Sequence, residues 1–172
     1  MPDPTEEPVG DDAHEIPSGL YRQVLGHFPT GVTVITAIED GTPVGLAVGS
    51  FFSVSLDPPL VGFCPDKRSS SWPVIQRAGR FCVNVLADDQ EVLCRQFATK
   101  GADKFAGVGW SPTAGGGSPR LTDVLAWIDC DVEVVHEAGD HDICVGRVLG
   151  LAVEREGSPL VFYRGGYGRF EP

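Results

Sequence analysis

Much that announces a familiar catalyst is missing from this 172-residue sequence. It has no G-x-S-x-G, no H-E-x-x-H and no G-x-x-x-x-G-K-[ST], so a hydrolase elbow, a zincin helix and a P-loop drop out. The four histidines, at 14, 27, 136 and 141, have no metal-ligand spacing with Cys or carboxylates, and no metal site is expected. The five cysteines, at 64, 82, 94, 130 and 144, are odd in number and form no C-x-x-C. That pattern predicts neither a disulfide framework nor a zinc ribbon and fits a reducing cytoplasm. No apolar run reaches the ~18 residues of a membrane-spanning helix. The N-terminus lacks the basic and apolar regions of a secretory signal. Basic residues are scarce: 13 Lys and Arg against 24 Asp and Glu leave a net charge of −11. Such a chain repels polyphosphate strands, so nucleic acid is a poor partner. A small phosphate ligand needs only a local cationic pocket and stays open.

What is present reads as one folded unit. Hydrophobic residues make up 42% and charged residues 22%, ordinary for a soluble domain. Residues 1–17 hold four prolines and six acids with no Lys or Arg, predicting a disordered acidic tail. The folded domain is expected over 18–172. Leu20, Val24, Leu25 and Phe28 share one helical face, with Ser18 as N-cap and Pro29 as stop. Apolar, β-branched strands follow over 32–38, 44–55, 60–64, 81–86, 127–136, 143–153 and 160–163. Asp40-Gly41 marks a hairpin. A second helix is expected over Asp88–Thr99 and a short one from Ser71-Trp72-Pro73. Residues 111–120 read as a flexible loop, and the glycine-rich stretch 165–168 as a turn. Helices do not alternate with strands, which excludes a doubly wound fold. The pattern predicts a mainly β protein, an antiparallel sheet closed or nearly closed into a barrel, with peripheral helices.

Four stretches offer chemistry, one of them Tyr163-Arg-Gly-Gly-Tyr-Gly168 near the C-terminus. In Asp66-Lys-Arg-Ser-Ser-Ser71, hydroxyls and cations precede a helix start and suit one phosphate; the same residues suit a solvated turn capped by Ser71. From Gly45 to Pro59 a strand is interrupted by Ala47, Gly49, Ser50, Ser53 and Ser55. Small residues there let a flat ligand approach the backbone, or let a barrel strand bend. Gly139-Asp-His141 puts an imidazole at a hairpin tip, as a ligand contact or a merely exposed side chain.

The order Leu25-Gly-x-Phe28-x-Thr-Gly-Val-Thr-Val34, Ser50-Phe-x-Ser-Val-Ser-Leu-Asp-Pro-Pro-Leu60 and Lys67-x-Ser-x-Ser-Trp72 closely resembles the flavin reductase-like family. This family includes the short-chain reductase components of two-component flavin monooxygenases. The likeness continues through Phe81-x-Val-Asn-Val-Leu86, Gln90, Phe97-Ala98, Asp103-Lys-Phe105, Gly139-Asp-His141 and Pro159-Leu160, covering about residues 18–168. Phe63-Cys64, Phe81-Cys-Val-Asn84, the strand at Ile128-Asp-Cys130 and Phe162-Tyr-Arg-Gly165 look like reductases serving aromatic-ring or steroid-catabolic hydroxylases. The resemblance implies an FMN-binding split β-barrel, a homodimer, and NADH- or NADPH-dependent reduction of FMN or FAD for release to a partner monooxygenase. It implies that Ala47, Val48, Gly49, Ser50, Ser53, Val54 and Ser55 line the flavin, and that Lys67, Ser69 and Ser71 hold its phosphate. His141 and Tyr167 would face the nicotinamide. Many relatives carry Asn where this chain has Gly49, and often Thr where it has Phe52. Hydride transfer between two cofactor rings needs no protein nucleophile or metal, which agrees with the missing signatures. A flavin-storing or flavin-sensing split barrel and an oxidase of the pyridoxamine-phosphate type are the alternatives; a storage protein needs no nicotinamide contact such as His141.

Overall fold

The computed structural model describes residues 16–101 and 103–170. The predicted acidic tail therefore lies, apart from Ile16 and Pro17, outside the described residues. Three helices, α1 (Ser18–Leu25), α2 (Trp72–Ala78) and α3 (Glu91–Ala98), accompany twelve strands. These are β1 (Thr30–Gly31), β2 (Thr33–Glu39), β3 (Thr42–Val48), β4 (Phe52–Ser55), β5 (Leu60–Phe63) and β6 (Arg80–Val85). Then come β7 (Trp110–Pro112), β8 (Pro119–Leu121), β9 (Ala126–Ala138), β10 (His141–Val153), β11 (Leu160–Tyr163) and β12 (Gly166–Arg169). Among the described residues no helix is long and apolar enough to cross a membrane.

Seven strands form one antiparallel sheet in the order β3-β2-β6-β9-β10-β5-β4. Flat, β3 and β5 would stand about 24 Å apart, five spacings of roughly 4.8 Å. Yet Leu46 and Val48 of β3 share one buried cluster with Val61 and Phe63 of β5. The sheet therefore curls on itself, and Trp72 and Ile75 of α2 fill the interior. Phe63 meets Trp72 and Phe81 edge-to-face, with centroids 5.7 and 5.2 Å apart. A second cluster joins Val32, Val34 and Leu86 to Phe97 of α3 and Leu160 of β11. The barrel with peripheral helices expected from the sequence is what forms.

Local departures have physical causes. The expected strand over 44–55 breaks between Val48 and Phe52, where the chain leaves one sheet edge and returns on the other. Four short strands, β1, β7, β8 and β12, carry too few residues to show a period. The glycine-rich 165–168 stretch is mostly β12, entered by a turn with Arg164 and Gly165 at φ 51° and 81°. Asp40 and Gly41, at φ 50° and 78°, make the predicted hairpin turn. Ser18 caps nothing: α1 follows Pro17 and has no side-chain cap. The helix stops at Leu25, three residues short of the expected end. The second predicted helix begins as a 3-10 turn over Asp88–Gln90.

The glycine-rich loop between β7 and β8 is tied down rather than free. Thr113 N–H donates to Ser118 O at 2.9 Å, and Gly116 N–H donates to Asp129 Oδ2 at 2.8 Å. A Cβ at Gly115 or Gly116 would fall 2.9 Å from that carboxylate, so the loop can settle on it only without side chains. Burial pushes the Asp129 carboxyl above its ordinary range. Its raised folded pKa contributes stability below the unfolded value of about 3.9, lost as pH rises through the folded value. Asp129→Asn keeps an acceptor for Gly116 and removes the desolvated charge. Thermal melts should show a higher Tm than wild type at pH 7.5, with the gap closing by pH 4; a lower Tm at pH 7.5 would show that the charge is favourable there.

Candidate active site

A hollow with hydroxyls, lysines and an imidazole in its lining lies where the curled sheet nearly meets itself. It is a cavity of about 620 Å³, within the usual range for small-molecule sites. One wall is the end of β3 and the bend after it, Leu46 to Ser50. The opposite wall is the end of β5 and its turn, Cys64, Pro65, Asp66, Ser69 and Ser70. Phe97, Lys100 and Lys104 close one side, Tyr21 and Leu25 of α1 another, and His141 reaches in from the β9–β10 hairpin.

Ser50 holds the two walls together. Its Oγ donates to Cys64 O at 3.1 Å and accepts Cys64 N–H at 2.9 Å. That hydroxyl is thus spent on the fold, although Ser50 lines the cavity. Ala47, Val48 and Gly49 line it as expected. A side chain at Gly49 would place Cβ 2.9 Å from Thr30 Oγ1, so glycine suits this bend. Ser53, Val54 and Ser55 do not reach the cavity; they lie on β4, beyond the break, at the sheet's far edge.

The serine-rich turn is also rearranged relative to expectation. Ser71 is not the capping side chain of α2. Ser69 Oγ instead accepts the N–H groups of Ser71 and Trp72, each at 3.3 Å. Lys67 points away: its Nζ lies 3.6 Å from both Glu137 and Asp142, and it does not line the cavity. Two cations do, Lys100 and Lys104; sequence reasoning left both without a role, and Lys104 is tied into the wall. Its Nζ donates to Gly45 O at 3.1 Å and to Ser71 Oγ at 3.2 Å. Burial lowers its pKa, and no carboxylate among the described residues pairs with it. The Asp103-Lys-Phe105 motif carries Lys104 as part of the family likeness, but its partner Ser71 is 33 residues away and nothing local links the two. The Asp66 carboxylate is already ion-paired with Arg68 at 2.9 Å, whose hydrogen bonds hold it down to about 2. The cavity is therefore electropositive within an acidic protein, and an ammonium without a counter-ion suits an anionic ligand.

His141 Nδ1 lies 2.7 Å from Asp140 Oδ1, with its ring half exposed at the cavity. Tyr167, expected beside it, is elsewhere. Its ring packs on the second cluster beneath Arg95, with the hydroxyl 3.3 Å from Cys94 Sγ. Burial pushes that phenol up to about 12. Among the described residues no cluster of His, Cys, Asp and Glu suits a metal ion.

Residues 25–171 match the family described as a flavin reductase like domain. The chain is 57% identical over 151 residues to a flavin reductase of Pseudomonas putida, covering 87% of this chain and 88% of the relative. It is 52% identical over 169 residues to HsaB, the reductase subunit of a flavin-dependent monooxygenase of Rhodococcus jostii, covering 96% and 86%. Among solved structures, a homologue of nitrilotriacetate monooxygenase component B from Mycobacterium thermoresistibile superposes with a TM-score of 0.86 at 50% identity. That match covers 90% of this chain and 87% of the other. The NADH:FAD oxidoreductase SgcE6 of Streptomyces globisporus, in complex with NAD and FAD fragments, superposes with a TM-score of 0.82. It is 36% identical, over 88% of this chain and 92% of the other.

One cavity wall depends on a glycine. A Cβ at Gly45 would fall 2.6 Å from Phe97 Cε1 and 3.0 Å from Ile35 O. Gly45→Ala must displace Phe97, and should cost about 1–3 kcal/mol as an overpacked core does. Urea unfolding checks this; an unchanged midpoint would mean that Phe97 moves freely.

Proposed function

From the premise that the chain belongs to the flavin reductase-like family, we propose that it oxidises NADH or NADPH, reduces FMN or FAD, and releases reduced flavin to a partner monooxygenase. The observation that carries the flavin assignment to this cavity is Lys104, a half-buried ammonium with no carboxylate partner among the described residues. It is bonded to Ser71 Oγ, which does not itself line the cavity, and shares the cavity lining with Ser69 and Ser70, where a flavin phosphate supplies the missing charge. The hydride passes between the nicotinamide and flavin rings, whose own electronics carry the redox chemistry. The protein's part is to hold and orient. The main chain of Ala47–Ser50 offers a flat wall without bulky side chains, and Phe97 and Leu46 keep water from one side. Ser69, Ser70 and Lys104 take the phosphate. His141 stands on the nicotinamide side, where it orients the dinucleotide without having to give a proton. The seven-residue α2 has too few turns to contribute much dipole, so the cation is Lys104 rather than a helix end.

Two further features belong to this reading. No residue of α1 is buried, and Leu20, Tyr21, Val24, Leu25 and Phe28 are all more than half exposed. Such a helix does not hold its place by its own packing, and a second copy of the chain is the cover we assign to it. The free cysteines, four of them buried, suit a reducing cytoplasm.

Aerobic NADH oxidation that depends on added FMN or FAD tests the reaction; flavin binding without NADH or NADPH oxidation would favour the storage reading. Lys104→Met should weaken FMN binding roughly 10- to 100-fold, the loss of a charged hydrogen bond, while riboflavin binding changes little. Equal losses for both flavins would remove the phosphate from Lys104. Sedimentation at micromolar concentration should give twice the 18.3 kDa chain mass; a catalytically active monomer would refute the dimer.

A further inference from the structure

Asp142 takes no part in the cavity, yet it is only 8% exposed and both its oxygens are engaged by the turn that forms a cavity wall. Its Oδ2 accepts the indole N–H of Trp72 at 2.7 Å. Its Oδ1 faces Lys67 Nζ at 3.6 Å. Trp72 opens α2 directly after Ser71, and its backbone N–H is held by Ser69 Oγ. On the other side Asp142 adjoins His141. The main chain stitches the same two segments: Asp142 N–H donates to Pro65 O and Lys67 N–H to Asp140 O, both at 3.0 Å. Asp66 and His141 form an antiparallel bridge. The serine-rich turn and the hairpin tip thus meet through one buried carboxylate.

A buried indole N–H needs an acceptor, but a neutral amide would serve. A buried charge costs more and is retained where it fixes an arrangement. Here the charge also faces Lys67 Nζ at 3.6 Å, and Lys67 does not line the cavity. We propose that Asp142 is a positioning residue that sets the Ser69–Ser71 turn and His141 as one unit, so that flavin phosphate and nicotinamide nucleotide are both placed by a group touching neither. The inference rests on the flavin reading above and extends it from the residues that line the cavity to one behind them.

The test uses the full chain carrying Trp72→Phe, His141→Ala or both, with FMN and riboflavin affinities from fluorescence quenching and NADH kinetics. Trp72→Phe keeps the ring and removes the bond. It should weaken FMN about tenfold, the loss of one hydrogen bond to a charged group, leave riboflavin nearly unchanged, and raise KM for NADH while kcat holds. In the His141→Ala background its effect on NADH should vanish while its effect on FMN persists, because only the first passes through His141. Asp142→Asn, which keeps an acceptor for the indole but releases Lys67, should lower the FMN-to-riboflavin ratio less than Asp142→Leu, which loses both contacts. If Trp72→Phe fails to fold, the two Asp142 variants decide the question. Equal losses of FMN and riboflavin, or multiplicative effects on NADH in the double variant, would overturn the proposal. An unchanged ratio in Asp142→Leu would do the same. Wild-type protein that reduces no flavin would instead overturn the functional reading itself.

Discussion

The site depends on the closing of the curled sheet. Seven antiparallel strands leave two unpaired edges, and curling brings the ends of β3 and β5 to one core without joining them in a ladder. Ser50 bridges that gap with two hydrogen bonds to the Cys64 main chain. The cavity is the space left beside this bridge. Its walls are the last residues of two strands, held by a rigid scaffold while remaining open to a ligand. Trp72, Phe63 and Phe81 keep the interior filled, so the hollow forms at the seam rather than in the core.

Charge is distributed against the overall balance. A chain of net charge −11 presents Lys100 and Lys104 to the cavity. The one acid on its wall, Asp66, is neutralised by Arg68. Lys67, although next to that acid, is drawn behind the wall by Asp142 and Glu137. Local pairing thus selects which cations face the cavity, and Lys104 faces it with no carboxylate partner among the described residues.

Short-range features were legible in the sequence because their causes are local. The Asp40-Gly41 turn follows from residues that tolerate positive φ. The strands of the main sheet follow from β-branched runs, and α2 from a turn rich in Ser ahead of Trp72-Pro73. Ala47–Ser50, Ser69 and His141 were legible as candidates because small residues, hydroxyls and an imidazole cluster in short stretches, and the family resemblance put them in order. Ser53, Val54, Ser55, Lys67 and Tyr167 do not reach the cavity. Each stands near a true wall residue in sequence or in motif, but a chain break, an ion pair or a packed aromatic ring carries it elsewhere.

The sequence by itself determined a mainly β domain with an antiparallel barrel, the absence of a metal-ligand pattern, and its flavin reductase-like kinship, because composition, periodicity and ordered motifs survive without knowledge of contacts. Only the tertiary structure decided that Lys104 and not Lys67 lines the cavity, that Ser50 serves the seam, and that Asp142 joins the serine-rich turn to the hairpin tip. Each of these rests on a pairing across 14 to 75 residues of chain. Such a pairing depends on how the sheet curls, which no local pattern records.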